Sequence, residues 1–354
     1  MTRIGLIGCG MWGRNLARNL AQLGVLGGVA DLVPALAEGF AAEFDVPAMD
    51  VSTLLERPRL DGARLDGAGL DGAGLNGAGL DGVVIATAAP THRDLACRAL
   101  AAGLHVFVEK PLALDLNDAE AIAAAARDAG RQVMVGHLIR YHDAFLALQD
   151  HLAGGLIGAI RHVSANRLAM GRIRATESVI YDLCPHDLSL ILALMGEMPH
   201  QVGSRGASHV TPGLPDMVST WLGFSGGRSA MMTTGWMCPY KEHRLTVTGE
   251  RGSLVLDDTR PWAEKLTLYR DDITPDGANF AISRATPMHL PVPESEPLKQ
   301  EMRAFIACCE TGNAPPTDIA DGLAVQRVLQ TIDDTFTEFG ATPDNPDVTL
   351  ARKG

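Results

Sequence analysis

Unbroken apolar runs alternate with helix-period stretches through the N-terminal part of the chain. Ile4 to Ile7 precedes Arg14 to Leu23, whose Leu16, Ala17, Leu20 and Leu23 share one face. Gly82 to Thr87, Arg93 to Ala102, His105 to Val108, the alanine-rich stretch to Ala129, and Gln132 to Gly136 repeat the alternation. Apolar runs without polar alternates predict strands buried on both faces, and their alternation with helices predicts a parallel sheet. Asn117 with Glu120 has capping-box spacing and is expected to open the alanine-rich helix.

From Ile157 the period changes to two. Ala159 to Asn166, Val218 to Phe224, Arg228 to Thr234, His243 to Val247, Ser253 to Leu256 and Leu266 to Tyr269 follow one another, with turn signals such as Ser225-Gly226-Gly227 between them. Strands in succession predict an antiparallel sheet. A helix from Ser178 to Met195 interrupts them, and two late helices, Pro297 to Thr311 and Ile319 to Phe336, are expected to fold back and brace both parts.

Gly8-Cys9-Gly10-Met11-Trp12-Gly13 joins the first strand to the first helix. In such a turn Gly8 permits the bend, Gly10 lets a pyrophosphate approach the backbone, and Gly13 lets the helix pack closely on its strand. Asp31 ends the second strand about 20 residues on, where an acid accepts hydrogen bonds from an adenosine ribose. A carboxylate there repels a 2′-phosphate, and Leu32 beside it offers no cation, so NAD is favoured over NADP. The expected fold is an α/β Rossmann dinucleotide-binding domain over 1–142. An α+β domain over 143–338 with a large, mostly antiparallel open sheet follows, then a tail over 339–354.

The stretch 59–82 repeats a five-residue unit, RLDGA-RLDGA-GLDGA-GLNGA-GLDG. It is too short to stack into coils that bury a core, and reads as a low-complexity expansion of a surface loop, with an ordered or partner-binding segment as the alternative. At 354 residues the chain has room for two domains. The net charge of −12 argues against nucleic acid or an anionic membrane as partner. The six cysteines lack metal-ligand spacing, so neither a metal site nor a disulfide framework is expected. No apolar run is long enough to span a membrane and the first residues enter a strand directly, so the cytoplasm is expected. One open sheet face predicts a homodimer or homotetramer.

Lys110 stands just past a strand end, followed by Pro111. Ligands of an open parallel sheet bind outside those ends, where a lysine can meet a substrate hydroxyl or carbonyl; an exposed loop lysine is the alternative. Asp182 and His186, four apart, share a helical face, and a carboxylate beside an imidazole can orient it; a purely structural pair is the alternative.

Together, the glycine cluster, the Ala86 to His92 loop, Glu109-Lys110-Pro111, and Asp182 with His186 resemble the Gfo/Idh/MocA family of sugar and cyclitol dehydrogenases, over nearly the whole chain except Arg59 to Asp81. The resemblance implies that His186 takes the hydroxyl proton, Lys110 stabilises the alkoxide-like oxygen and Asp182 supports His186. It also implies that Met11 and Trp12 lie with the glycines against the dinucleotide, that Thr87, Pro90 and His92 line the nicotinamide side, and that Glu109 lies near its ribose. Arg167, Arg172, Arg174 and Lys241 lie in stretches similar to the subgroup that oxidises C3 of UDP-N-acetylglucosamine-type nucleotide sugars, for surface polysaccharide or lipid A. These four can supply cations for a diphosphate, or be ordinary surface charges. A free sugar or inositol is the second substrate reading. A non-catalytic NAD-binding sensor or scaffold is the reading from another class.

Overall fold

The computed structural model describes residues 1–56, 79–171, 173–175 and 177–338. The N-terminal part runs β1 (Ile4–Ile7), α1 (Met11–Gln22), β2 (Leu26–Ala30), α2 (Pro34–Phe44), β3 (Ala48–Met49), α3 (Val51–Leu55), β4 (Gly82–Ile85), α4 (His92–Ala101), β5 (His105–Glu109), α5 (Leu116–Ala129) and β6 (Val133–Gly136). Its six strands form a sheet in the order β3-β2-β1-β4-β5-β6, and every pairing is parallel. The order reverses beside β1, which sets a crevice at the strands' carboxyl ends. The apolar strands are covered on both faces. Leu16 and Leu20 of α1 are fully buried, each contributing about 1.5–3 kcal/mol of transfer free energy.

Helix α5 begins earlier than its capping-box spacing suggests. Asp115 is the cap, its carboxylate accepting from the Asp118 N–H at 2.9 Å, and Asn117 lies inside the helix. Asp and Asn cap about equally well, so the pattern could not discriminate between them.

The second part runs α6 (Asp143–Ala153), β7 (Ile160–Met170), α7 (Val179–Met195), β8 (Gln201–Ala207), β9 (Met217–Gly223), β10 (Ser229–Gly235), β11 (Met237–Gly249), β12 (Gly252–Asp257), β13 (Leu266–Tyr269), β14 (Asp272–Asp276), β15 (Asn279–Ser283), β16 (Met288–His289), α8 (Pro297–Thr311), α9 (Ile319–Asp334) and β17 (Phe336–Glu338). Nine strands form a sheet in the order β16-β13-β12-β11-β7-β10-β9-β8-β17. Its pairings are antiparallel except β7 with β10 and β8 with β17. The last helix therefore stops before Phe336, and the Phe-Thr-Glu that follows adds a parallel edge strand. β8 escaped the sequence reading because its Gly203 and Gly206 resemble turn residues. At Gly206 a Cβ would lie 1.9 Å from the Met217 carbonyl oxygen, so the close approach of β9 requires glycine.

Helix α7 covers one face of the large sheet. Ile180, Cys184, Leu188 and Ile191 share a core with Val163, Leu222, Met232 and Leu245 of the sheet and with Val328 and Leu329 of α9. Helix α8 packs instead on the first sheet, its Met302 and Phe305 joining the core that contains Leu6, Phe107 and Met134. The late helices thus brace both parts. The other face of the large sheet is open, with Met217 and Trp221 exposed.

The repeat stretch lies outside the described residues except for its last positions. There Leu80 is buried and Gly82 already belongs to β4, so these two are core and strand rather than loop. Among the described residues no helix is long and apolar enough to cross a membrane, and no group of three or more His, Cys, Asp or Glu is placed to hold a metal.

Candidate active site

The glycine turn has the shape that a dinucleotide requires. Gly8 has φ +104°, and a Cβ on it would sit 2.6 Å from the Ala86 carbonyl oxygen; one on Gly13 would sit 2.0 Å from the Gly8 carbonyl oxygen. A Cβ on Gly10 would meet nothing within 4 Å, which leaves its backbone open to approach. Asp31 accepts from the Cys9 N–H at 2.7 Å and from the Val33 N–H at 2.8 Å, fixing the turn against the end of β2. A cleft of about 400 Å³ follows, lined by Cys9, Gly10, Met11, Arg14, Leu36 and Phe40 among others. Arg14 is a cation in that cleft which the sequence did not suggest. It is paired with Glu43 at 3.0 Å and lies over the Phe40 ring, so the residues present fit NAD.

The next wall is the end of β5. Glu109 is buried, accepts a short hydrogen bond from Trp12 Nε1 and another from the Lys110 N–H at 3.1 Å, and is pushed up to about 7 by burial against the pull of those donors and of the Lys110 charge. Trp12 is therefore fastened to the strand end as well as half-exposed beside the turn. The Lys110–Pro111 peptide bond is cis.

His92 is held within the protein. Its Nδ1 lies 2.9 Å from the Pro111 carbonyl oxygen and its Nε2 3.1 Å from that of Thr87. Burial lowers its pKa although the carbonyls favour the charged form; the neutral ring donates to one of the two oxygens and packs against the other, between two loops. Thr87 is half-buried, its hydroxyl 2.7 Å from that of Thr91, and Pro90 is exposed.

Lys110 reaches across to the first turn of α7. Its Nζ donates to the Asp182 carbonyl oxygen at 2.8 Å and to Asp182 Oδ1 at 3.3 Å. The same Oδ1 accepts from Arg174 Nη2 at 2.9 Å, and Oδ2 accepts from Trp236 Nε1 at 3.1 Å. Burial alone would raise the Asp182 pKa; Lys110, Arg174 and Trp236 more than reverse it and hold the carboxyl below its usual range. Asp182 is thus occupied by two cations and an indole. His186 sits one turn on, its Nδ1 buried without a partner. Burial and then the charges of Lys110 and Arg167 depress its pKa well below the usual value, so the imidazole is neutral. Pro185 lies within α7 without ending it.

The four expected substrate cations divide. Arg167 is buried and forked onto Asp187, with Nε at 3.1 Å and Nη2 at 2.8 Å, so this arginine is spent on the fold and not free for a diphosphate. Arg172 lies outside the described residues. Arg174 is 39% exposed at its side chain and held by Asp182 and Glu177, while Lys241 is exposed and its charge acts on His243.

Two further residues belong here that the sequence reading missed. Trp236 anchors Asp182 from the junction of β10 and β11. His137, directly after β6, has both ring nitrogens buried without a hydrogen bond, Nε2 standing 4.0 Å from Asp321 Oδ2, and a pKa lowered to about 3 by burial, Arg140 and Lys110. Its place at the carboxyl end of a parallel strand was the available signal.

Comparison with known proteins agrees with this fold. The family model described as "Oxidoreductase family, NAD-binding Rossmann fold" matches residues 2–137, and the GFO/IDH/MocA C-terminal domain model matches 145–255. The chain is 34% identical to a UDP-N-acetylglucosamine 3-dehydrogenase of Acidithiobacillus ferrooxidans, over 69% of this chain and 70% of that protein. It is 25% identical to an inositol 2-dehydrogenase of Rhizobium meliloti, over 91% and 93%. A solved structure of the Acidithiobacillus enzyme superposes with a TM-score of 0.78 at 26% identity, covering 94% of this chain and 97% of that one.

Proposed function

We propose that this chain, which belongs to the Gfo/Idh/MocA family of NAD-binding oxidoreductases, oxidises a secondary hydroxyl of a sugar carried on a nucleoside diphosphate, at C3 of a UDP-N-acetylglucosamine-type substrate. The observation that carries the reading is Lys110 held at 3.3 Å by Asp182 beside a neutral His186, with Arg174 at the solvent edge of the same cluster.

NAD, when bound, supplies the hydride acceptor. The protein supplies the rest. His186 starts neutral and takes the hydroxyl proton as the C–H bond breaks and the carbonyl forms. An ammonium has three N–H donors; two of those of Lys110 go to Asp182, which leaves one for the substrate oxygen. That hydrogen bond strengthens as the oxygen gains negative charge. Arg174 and Lys241 bind the diphosphate. A free sugar or inositol is the second reading, favoured by the loss of Arg167 to Asp187, since a neutral polyol requires fewer cations. A proton acceptor and an oxyanion donor side by side count against a non-catalytic sensor.

The test is NADH formation from a panel of UDP-sugars, free sugars and myo-inositol, with an aminotransferase and glutamate present to trap the keto product. Turnover of a UDP-sugar is expected, and turnover of free polyols alone would leave the family and remove the nucleotide. The open face of the large sheet supports a homodimer or homotetramer, and light scattering that finds only monomer at micromolar concentration would remove that part.

A further inference from the structure

Helix α8 carries a carboxyl for which neither the core nor the reaction has a use. Glu301 is 0% exposed, and both its oxygens are buried without a hydrogen-bond partner. It lies between Leu298, Met302 and Phe305 in sequence, on a helix packed into the core of Phe107, Met134 and Tyr141. A site that needed only filling would take leucine or methionine, because an unpaired buried carboxyl destabilises the fold.

The charged group that acts on Glu301 is Glu109, and Glu301 in turn acts on Tyr141. Glu109 is the carboxyl that holds Trp12 of the glycine turn and the backbone of Lys110. On the neighbouring strand Gly136 makes room for it, since a Cβ there would lie 3.0 Å from Glu109 Oε2. Two carboxyls in one apolar pocket do not both ionise.

We propose that Glu301 is a positioning residue for the cofactor site: it keeps its proton and directs the acid O–H toward Glu109, directly or across one water, leaving Glu109 the ionised member of the pair. An ionised, oriented Glu109 then keeps Trp12 at the turn and offers its free lone pairs to the bound dinucleotide. The groups that bear on the pair are Lys110 and Trp12 at Glu109, and Tyr141, with Arg140 acting on Tyr141, at Glu301. The proposal rests on the reading that Glu109 faces the cofactor.

The test compares Glu301→Leu and Glu301→Gln in the full-length protein, by thermal melting and by NAD affinity from tryptophan fluorescence across neutral pH. Glu301→Leu, which has no O–H to offer Glu109, is expected to bind NAD about tenfold more weakly, with the pH midpoint of binding moved upward. Glu301→Gln, which still donates an N–H, is expected to bind within about twofold of the parent. A weaker affinity in the leucine variant with the pH midpoint of binding unmoved would make Glu301 merely structural. Unchanged affinity, or glutamine as weak as leucine, would also overturn the proposal. Glu109→Gln separates the premise from the inference. If it binds NAD like the parent, the placement of Glu109 fails; if it binds weakly while Glu301→Leu does not, only the role of Glu301 fails.

Discussion

Two carboxyls flank Lys110, and they have been driven in opposite directions. Asp182, on the second domain's helix, is buried among Lys110, Arg174 and Trp236 and held below the usual carboxylate range. Glu109, on the first domain's strand, is also buried but meets an indole and a single flanking charge, and is pushed up to about 7. Burial acts on both; the number of cations decides the sign. The second-domain side is therefore a permanently charged clamp, and the first-domain side can gain or lose charge near neutrality.

The strongest way to break this comparison is to remove the reacting groups. Lys110→Ala or His186→Ala is expected to lower kcat by about 10²–10⁴-fold with NAD affinity little changed for His186→Ala. A loss confined to KM would make these residues binding groups only. Next, Arg167→Met leaves Asp187 buried without its partner and is expected to cost about 3–5 kcal/mol of stability in denaturant melts. If its main effect were instead a raised KM for a UDP-sugar, the assignment of Arg167 to the fold would be wrong. Trp236→Phe removes one donor from Asp182 and should cost about 1 kcal/mol in kcat/KM, measured as roughly a fivefold loss.

The smallest effect sharpens the comparison through pH. The folded values of Glu109 and Glu301 are raised above the ordinary 4.5, so the unfolded chain releases these protons first. Their contribution lowers stability as pH rises from about 4.5 through about 7. Asp182, with its lowered value, contributes stability that is present above its unfolded range and lost as pH falls through its folded one. Melting temperatures of Glu301→Leu should fall less steeply than those of the parent over the first window, while Asp182→Asn should flatten the acid side only.

The features legible in the sequence were local ones. The glycine turn, Asp31 and Glu109-Lys110-Pro111 each sit within a few residues of a strand end, and strand ends are visible from apolar runs. The pairings that decide side-chain roles join distant elements. Asp187 reaches Arg167 from a helix to a strand, Trp236 reaches Asp182 across 54 positions, and the Glu109 charge acts on Glu301 of a late helix. Four-residue spacing puts Asp182 and His186 on one helix, but it carries no information about Lys110 and Arg174, which compete for the same Asp182 oxygen.

Leu80, the last leucine of the five-residue repeat, is buried where a Cβ on Gly5 would lie 3.0 Å from its side chain, and the next residue, Asp81, accepts from the Arg3 N–H at 2.8 Å. These two positions anchor β4 against β1, so the sheet's register is independent of how many units precede them. Doubling a loop's length adds only about 0.6 kcal/mol of closure cost. Slippage during DNA replication could therefore add or delete whole units in this gene with little penalty to the enzyme, and related strains are expected to differ in repeat number while keeping the final Leu-Asp-Gly.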